Sequence, residues 1–253
     1  MANGQDNLYR FFGVIKAVMD TNFDEENTTQ HIPQCVGFIM DGNRRWAKEQ
    51  ELDSFFGHKA GEDKFYEVAQ WVKDKQIAHA VFYAFSTENW FREKFEVTYL
   101  EDLFLAFATK ILSEIHERQV RIRVIGNLEN FQTELKNKIF ELEQASLQYK
   151  KTTIWVALSY GGRAELVSAI NKAVVAGTVV DEASFSKLLS TAEMPDPDLI
   201  IRTSGETRLS NFLPWQSVYS ELFFTDTYWP AFTKEEFTRI VSQYGDRQRR
   251  RGK

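Results

Sequence analysis

Short apolar runs alternate along this chain with longer segments whose apolar residues recur at helical spacing. A continuous apolar run bounded by polar residues is typical of a strand that is buried on both faces of a sheet. The runs predict strands at residues 35–40, 79–85, 120–125, 152–158, 199–201 and 218–224.

The segments between these runs predict helices, because their apolar residues recur every three or four positions. One amphipathic helix follows the segment 55–61 and ends near Lys75, and others cover 98–118, 129–149, a stretch that opens at Arg163, 181–189 and a stretch that begins near Thr233. Strands separated by helices predict an α/β fold, here a single domain with a mostly parallel central sheet flanked by helices.

The two ends of the chain differ from this pattern. Residues 1–30 form an N-terminal extension, with a short apolar helix at 8–19 and an acidic linker at 20–30, and residues 31–253 form the domain. The helix either packs on the domain or lies on a membrane surface. The basic tail that begins at Arg247 is either a solvated terminus or a contact for a partner or an anionic lipid.

Composition narrows the class of protein. A chain of 253 residues with 43% hydrophobic content is typical of a globular domain. The single cysteine, Cys35, allows no disulfide within the chain, which fits a reducing cytoplasm. No apolar run approaches the length of a spanning helix and no signal peptide is recognisable. The net charge of −5 argues against a general nucleic-acid binder.

Polar clusters follow several of the predicted strands. Asp41 stands beside Arg44 and Arg45, and two further clusters cover 86–92 and 202–210. Since the carboxyl ends of parallel strands lie at one edge of a sheet, we expect these clusters to meet there. Asp41 among arginines suggests a divalent metal that joins this carboxylate to a phosphate, with Glu221 as a second oxygen ligand. The alternative is an ordinary charged surface turn.

Other features are less specific. His58 is the only histidine close to such a cluster, where it would donate to a phosphate or move a proton, whereas the remaining histidines are interpreted as structural. The segment 160–163 resembles an anion-binding turn, but neither a P-loop nor a dinucleotide fingerprint is present. Apolar residues in the predicted helix at 99–107 and the strand at 81–85 would line a tunnel or pack as core.

Four blocks of sequence together resemble the cis-prenyltransferase family, whose bacterial members are undecaprenyl diphosphate synthases. They are residues 40–47, 57–61, 83–90 with Arg92, and 202–213 with Glu221. The blocks occur in family order over residues 32–252, which is nearly the whole chain. The resemblance implies the cis-prenyltransferase fold with an apolar tunnel.

The resemblance also implies a reaction, in which isopentenyl diphosphate is added repeatedly in cis geometry to an allylic diphosphate such as farnesyl diphosphate. The implied product is a polyprenyl diphosphate such as undecaprenyl diphosphate, a lipid carrier for cell-wall synthesis. The enzyme would be a cytoplasmic homodimer that binds no nucleic acid and works at the inner face of the membrane, where its long products partition.

Each site residue is then given the role of its family counterpart. Asp41 is the catalytic carboxylate and holds Mg²⁺ with Glu221, and Asn89 aligns with a residue assigned as proton acceptor. Because a neutral amide has almost no basicity near pH 7, we expect Asn89 to position a diphosphate oxygen or water. The resemblance assigns allylic-diphosphate binding to Gly42, Asn43, Arg44, Arg45, Trp46 and His58, isopentenyl-diphosphate binding to Arg202, Arg208, Leu209 and Ser210, and the lining of the site to Ser86, Thr87, Glu88, Trp90 and Arg92.

The chain departs from the family pattern at three places. Residues 49–54 are acidic where many relatives are basic, and Ser54 replaces an arginine that commonly binds phosphate. Arg44 occupies a position that is glycine in many bacterial relatives, where it would compensate in part. Glu93 stands where many bacterial relatives have proline.

Other functions fit the sequence less well. A short-chain synthase or a terpene-forming relative is the alternative within the family. A non-catalytic partner subunit would not need the retained site residues, which are Asp41, His58, Asn89, Arg202, Arg208 and Glu221. A phosphatase lacks a nucleophile motif here, and an all-helical trans-prenyltransferase would carry aspartate-rich DDxxD motifs, which are absent.

Overall fold

The apolar runs form one parallel sheet in the computed structural model, which describes residues 31–247. Within that range the sheet has six strands in the order β3-β4-β2-β1-β5-β6, and every neighbouring pair is parallel. The predicted α/β fold is confirmed. The strands are β1 (Cys35–Ile39), β2 (His79–Tyr83), β3 (Arg121–Ile125), β4 (Thr153–Ala157), β5 (Leu199–Arg202) and β6 (Glu221–Phe224).

Helices flank the sheet and connect successive strands, except that the loop 203–220 joins β5 to β6. Two short 3-10 helices, Thr87–Phe91 and Trp229–Ala231, follow β2 and β6. The α-helices of the described range are α1 (Asn43–Glu49), α2 (Ser54–Asp74), α3 (Lys94–Arg118), α4 (Thr133–Ser146), α5 (Gly162–Val175), α6 (Glu182–Ser186) and α7 (Lys234–Gly245).

Helix α2 begins earlier than the sequence pattern predicts. The segment 55–61 lies within the helix rather than before it, because Asp53 caps the first turn by accepting a hydrogen bond from the Phe55 amide at 3.0 Å. Gly57 and Gly61 face α1, where a side-chain Cβ on Gly57 would stand 2.1 Å from the Asn43 carbonyl oxygen. The glycines therefore serve close helix packing and place His58 on the second turn of α2.

Strand β1 lies at the centre of the sheet and all of its residues are buried. On one face Phe38 stacks on Phe82 at 4.8 Å between ring centroids, and Phe237 of α7 packs against Phe38. On the other face Ile39 belongs to a second apolar cluster with Phe212. Because both faces of β1 are covered, the core fixes the end of this strand, and Asp41 stands two residues beyond it.

Several sequence predictions concern parts of the chain at its ends. The apolar helix predicted at 8–19 and the linker at 20–30 lie outside the described residues, as does the basic tail beyond Arg247. None of the helices between residues 31 and 247 combines the length and apolar character that crossing a bilayer requires.

Candidate active site

Asp41 stands two residues beyond the end of β1 and is hydrogen-bonded to three side chains, those of Thr203, Arg202 and Arg45. Its backbone N–H donates to Thr203 Oγ1 at 3.0 Å. One carboxylate oxygen accepts from Arg202 Nη2 at 2.8 Å, and the other accepts from Arg45 Nη2 at 3.2 Å. The expected meeting of polar clusters at the carboxyl edge of the sheet is therefore observed for the segments after β1 and β5.

The charges around Asp41 favour its ionised form. Burial alone would raise the pKa of this carboxyl, but the hydrogen bond and charge of Arg202, with a smaller contribution from Arg45, outweigh burial and lower the pKa below its usual value. Asp41 is therefore a carboxylate at neutral pH.

The loop after β5 folds around the Arg202 side chain, which is buried. Arg202 donates to Ser210 Oγ at 2.7 Å and to the Arg208 carbonyl oxygen. Arg208 pairs with Glu206, which also receives Arg45 at 3.3 Å. The loop thus collects three guanidinium groups around two carboxylates, an arrangement that suits a multiply charged anion.

The same loop has an unusual backbone. Ser204, Ser210, Asn211 and Leu213 all have positive φ angles, between 48° and 83°. Left-handed backbone is costly for residues with a side chain and concentrates at functional sites. The hydrogen bonds that Ser210 and Asn211 make to Arg202 and Glu88 hold this conformation in place.

Gly42 turns the chain from β1 into α1. Its φ is +104°, and a Cβ at this position would stand 2.7 Å from the Tyr228 ring, so a side chain is excluded both by backbone conformation and by space. The turn places Arg44 and Arg45 in the first turn of α1. The helix therefore presents two guanidinium groups immediately beside Asp41.

A second cluster of charges surrounds Glu96, in the first turn of α3. Its carboxylate accepts from Arg92 Nη1 at 2.9 Å, lies 3.3 Å from His58 Nε2 and forms an ion pair with Arg44 Nη1 at 3.7 Å. Glu96 is buried. Burial, and next the charge of Arg92, lower the pKa of His58, although Glu96 opposes this shift. His58 is therefore mainly neutral at pH 7.

The segment after β2 joins the two clusters. Asn89 Oδ1 accepts from the Ser86 backbone N–H at 3.0 Å, and Glu88 accepts from Asn211 Nδ2 at 3.0 Å. Thr87 donates to Glu88 at 3.1 Å. The amide of Asn89 thus closes the turn of its own segment, and its Nδ2 group remains as a donor.

Trp90 packs against the main apolar core and does not line the cavity described below. Its indole N–H donates to Ser159 Oγ at 2.8 Å, and its ring packs on Phe85 and Phe131. Leu209 packs against the second apolar cluster of the sheet. Trp46 is half-buried in α1.

An apolar cavity of about 100 Å³ begins at this edge of the sheet. Asn43 and His58 contribute to its lining near the charged clusters, and the remainder is lined almost entirely by apolar residues of α2, α3, α4 and the sheet. The sequence left open whether the apolar residues at 81–85 and 99–107 line a tunnel or pack as core. The cavity is lined by Ala84, Leu100, Leu103, Phe104 and Phe107. The other residues that were considered do not line it: Val81, Phe82, Tyr83, Phe85, Tyr99 and Leu105. A cavity with one charged end suits a ligand with an anionic head and a hydrocarbon chain.

Glu221 does not lie near Asp41 within the protomer. Glu221 is the first residue of β6 and pairs in register with Leu199, the first residue of β5. Asp41 is hydrogen-bonded to Thr203, which follows β5 and stands about 13 Å from Leu199 along the direction of that strand. The carboxylate of Glu221 is paired with Arg247. The sequence pattern could not reveal this register, and the role of Glu221 as a metal ligand stays a prediction.

The donor groups fit a magnesium ion held partly by substrate. Residues 31–247 contain no cluster of three or more histidine, cysteine or acidic side chains able to enclose a metal. Mg²⁺ in phosphate sites commonly takes one or two carboxylates, with phosphate and water oxygens completing the octahedron. An ionised and partly exposed Asp41 meets that requirement as a single protein ligand.

A family model described as "Putative undecaprenyl diphosphate synthase" matches residues 39–252, most of the chain. The chain belongs to the cis-prenyltransferase family. This cis-prenyltransferase is 41% identical over 226 residues to an isoprenyl transferase of Thermotoga maritima, covering 87% of this chain and 97% of the relative. The family resemblance expected from the four sequence blocks is confirmed.

Two further proteins indicate the range of the family. A Methanopyrus kandleri protein named tritrans,polycis-undecaprenyl-diphosphate synthase (geranylgeranyl-diphosphate specific) is 41% identical over 240 residues, with 91% of this chain and 88% of the relative covered. The crystal structure of lavandulyl diphosphate synthase from Lavandula x intermedia, in complex with dimethylallyl diphosphate, superposes with a TM-score of 0.84 at 30% identity. That match covers 88% of this cis-prenyltransferase and 99% of the lavender chain.

Proposed function

We propose that this cis-prenyltransferase condenses isopentenyl diphosphate with an allylic diphosphate and forms a cis double bond at each addition. The observation that carries the proposal is the division of cations between two clusters at one end of an apolar cavity. Arg44 contributes to the cluster around Glu96, and Arg45 contributes to the cluster around Asp41. Two anion-binding clusters beside one apolar cavity match a reaction that joins two diphosphate esters, of which one carries a growing hydrocarbon chain.

The charged clusters would stabilise the leaving group. When the allylic carbon–oxygen bond breaks, negative charge accumulates on the departing diphosphate, and fixed guanidinium groups stabilise that charge where it develops. Arg44 and Arg92 both contact Glu96, which also contacts His58, a residue of the cavity lining. Mg²⁺, when held by Asp41 and diphosphate oxygens, would neutralise further charge.

The apolar cavity would protect the allylic cation and its chain from water. A new carbon–carbon bond joins the allylic carbon to the terminal alkene carbon (C4) of isopentenyl diphosphate, positive charge moves to the tertiary carbon C3, and loss of a proton from C2 forms the new C2=C3 double bond. Asn89 is a poor base, so we assign to its Nδ2 group the positioning of a diphosphate oxygen or a water that accepts this proton. Arg202, Arg208 and Ser210 would hold the diphosphate of isopentenyl diphosphate.

The length of the product separates two candidate functions. The name of the Methanopyrus kandleri relative and the description of the family model support a long cis-polyprenyl diphosphate such as undecaprenyl diphosphate, and that relative's name supports a geranylgeranyl starter. A farnesyl starter is the expectation from the sequence blocks. A short-chain or terpene-forming reaction is the second candidate, and the small cavity of about 100 Å³ favours it. A long product requires the helices that line the cavity to move apart as the chain grows.

We further propose that the enzyme is a homodimer that works in the cytoplasm at the membrane surface. Strand β6 is an edge strand, and Val218, Tyr219 and Leu222 beside or within it are exposed apolar or aromatic side chains. An exposed edge strand can pair with strands of other molecules unless another surface covers it, and a second copy of the chain would provide that surface. Sedimentation analysis of the purified protein tests the dimer, and the proposal fails if the protein is a monomer at micromolar concentration.

Product analysis tests the function. The full-length protein is incubated with Mg²⁺, radiolabelled isopentenyl diphosphate and, in separate reactions, dimethylallyl, geranyl, farnesyl or geranylgeranyl diphosphate, and the products are separated by chromatography. Long products from farnesyl or geranylgeranyl diphosphate support the polyprenyl synthase, and products with one or two additions support the short-chain candidate. If no starter is extended, the enzymatic proposal fails and the partner-subunit alternative gains support.

A further inference from the structure

Glu96 is a buried carboxylate that touches cationic or imidazole side chains of three separate elements. Arg44 comes from α1, His58 from α2, and Arg92 from the end of the 3-10 helix that precedes α3. The contacts measure 3.7, 3.3 and 2.9 Å. No motif in the sequence identified Glu96 as part of the site.

Glu96 is more deeply buried than an ion pair for helix stability requires. Burying an ionised carboxylate is costly unless it is paired, so its three partners must compensate for the lost hydration. Glu114 on the same helix forms a comparable pair with Arg118 four residues away, yet about a third of that glutamate side chain is exposed. An ion pair that only stabilises the helix can therefore form at the surface. The burial of Glu96 points to a role in the site instead.

The geometry leaves donors available for a ligand. Glu96 Oε1 accepts from Arg92 and from His58, and Oε2 lies near Arg44. Each arginine uses one guanidinium nitrogen for Glu96, so the others remain for an incoming anion. An ionised carboxylate can only accept, which requires the proton of neutral His58 to sit on Nε2 and leaves Nδ1 as an acceptor.

We propose that Glu96 is a positioning residue that holds Arg44, Arg92 and His58 in a single arrangement before the allylic diphosphate binds. This inference rests on the proposed function, because it concerns the residue that orders one of the two proposed diphosphate-binding clusters before substrate binds. Side chains that are fixed in advance lose less conformational freedom on binding, so the diphosphate gains affinity although Glu96 itself is an anion.

The experiment compares Glu96→Gln with Glu114→Gln, which removes the same charge from a surface pair on the same helix. Steady-state kinetics with farnesyl and isopentenyl diphosphates should show that Glu96→Gln raises KM for farnesyl diphosphate at least about tenfold. The KM for isopentenyl diphosphate should change less than about twofold, and Glu114→Gln should match the wild type in both. Equal increases in both KM values, or a lower KM for farnesyl diphosphate, would overturn the inference.

Two further measurements require no turnover, so they separate this inference from the proposed function. Calorimetric titration with inorganic diphosphate should show weaker binding to Glu96→Gln than to the wild type and to Glu114→Gln. The His58 imidazole, followed by NMR, should titrate at a lower pH in Glu96→Gln, because removing the carboxylate removes the group that raises its pKa. Unchanged binding and an unchanged titration would overturn the positioning role even in an active enzyme.

A shortened carboxylate provides a second variant if Glu96→Gln does not fold. Glu96→Asp keeps the charge but cannot reach all three partners, since the side chain is one methylene shorter. We expect its farnesyl diphosphate KM to lie above the wild-type value with an unchanged KM for isopentenyl diphosphate. A wild-type KM for both substrates would show that precise placement by Glu96 is not required.

Discussion

Arg44 and Arg45 are neighbours in helix α1, yet their guanidinium groups pair with different carboxylates. Arg44 lies 3.7 Å from Glu96 of α3, and Arg45 lies 3.2 Å from Asp41 at the end of β1. Consecutive residues on a helix point in directions about 100° apart, which allows one short helix to supply both clusters. The separation of the two clusters thus begins with the geometry of α1.

Replacing Arg44 should weaken one substrate more than the other. We expect Arg44→Gln to raise KM for the allylic diphosphate about tenfold, the size of one charge-assisted hydrogen bond, with little change in KM for isopentenyl diphosphate. Steady-state kinetics provide the measurement. Arg239→Gln, which removes an exposed arginine paired with Glu236, serves as the control and should leave both KM values unchanged. An equal effect of the Arg44 variant on both substrates would contradict the division of roles.

The close contact between α1 and α2 depends on Gly57. An added Cβ would stand 2.1 Å from the Asn43 carbonyl oxygen, which belongs to backbone and cannot turn away. Gly57→Ala should therefore lower the free energy of unfolding by about 2 kcal/mol and reduce activity, since α1 must shift with its two arginines. Urea denaturation measures the first effect and turnover the second.

Gly177→Asn provides the matched glycine control. Gly177 has a φ of +62° with open space around it, and asparagine tolerates this conformation. Its free energy of unfolding should change by less than about 0.5 kcal/mol. A Gly57→Ala variant as stable and active as this control would show that the helices are not in close contact.

The lowered pKa of His58 makes stability depend on pH. Burial and the charge of Arg92 hold the pKa of His58 in the folded protein below its usual value of about 6.5, so at mildly acidic pH the unfolded chain binds a proton that the native state does not. The free energy of unfolding should thus decrease as the pH falls from 7.5 to 5.5, and His58→Gln should reduce this decrease. Urea titrations at both values test it, with exposed His31→Gln as the control. Identical pH dependence in all three proteins would refute the expectation.

The length of the product should respond to the far end of the cavity. Leu142 of α4 lines the cavity below β3, which is three places from β1 in the sheet. Leu142→Ala should allow longer products and cost about 2–4 kcal/mol of stability through the enlarged cavity. Product chromatography measures the first effect. Ile115→Ala removes a buried side chain that does not line the cavity, and should lose comparable stability without longer products.

Much of the fold and part of the site follow from the sequence by simple rules. The apolar runs predicted all six strands. The reason holds best for β1, β4 and β5, which are buried throughout and therefore leave uninterrupted apolar stretches. Ligands bind beyond the carboxyl ends of parallel strands, and this rule predicted that Asp41 and Arg202 lie close together. In the structure the two side chains are hydrogen-bonded at 2.8 Å.

The parts that sequence reasoning missed depend on tertiary contacts. Glu96 follows Glu93 and Lys94 near the start of a helix, where an acidic residue is usually solvent-exposed. Only the approach of α1 and α2 buries it. The only local hint was the spacing of Arg92 and Glu96, four residues apart. Glu221 was expected near Asp41, but the register of β6 against β5 depends on packing that the pattern does not encode.

The most direct test of the account is the rate of labelled isopentenyl diphosphate incorporation by wild-type protein and Asp41→Asn, each measured with farnesyl diphosphate over a range of Mg²⁺ concentrations. Asp181→Asn, an isosteric change at the exposed cap of α6, is the control. We predict Mg²⁺-dependent incorporation by the wild type and the control, and a loss of at least about a hundredfold in Asp41→Asn. Full activity of Asp41→Asn, or incorporation that is indifferent to Mg²⁺, would contradict the assignment of Asp41 as the centre of this site.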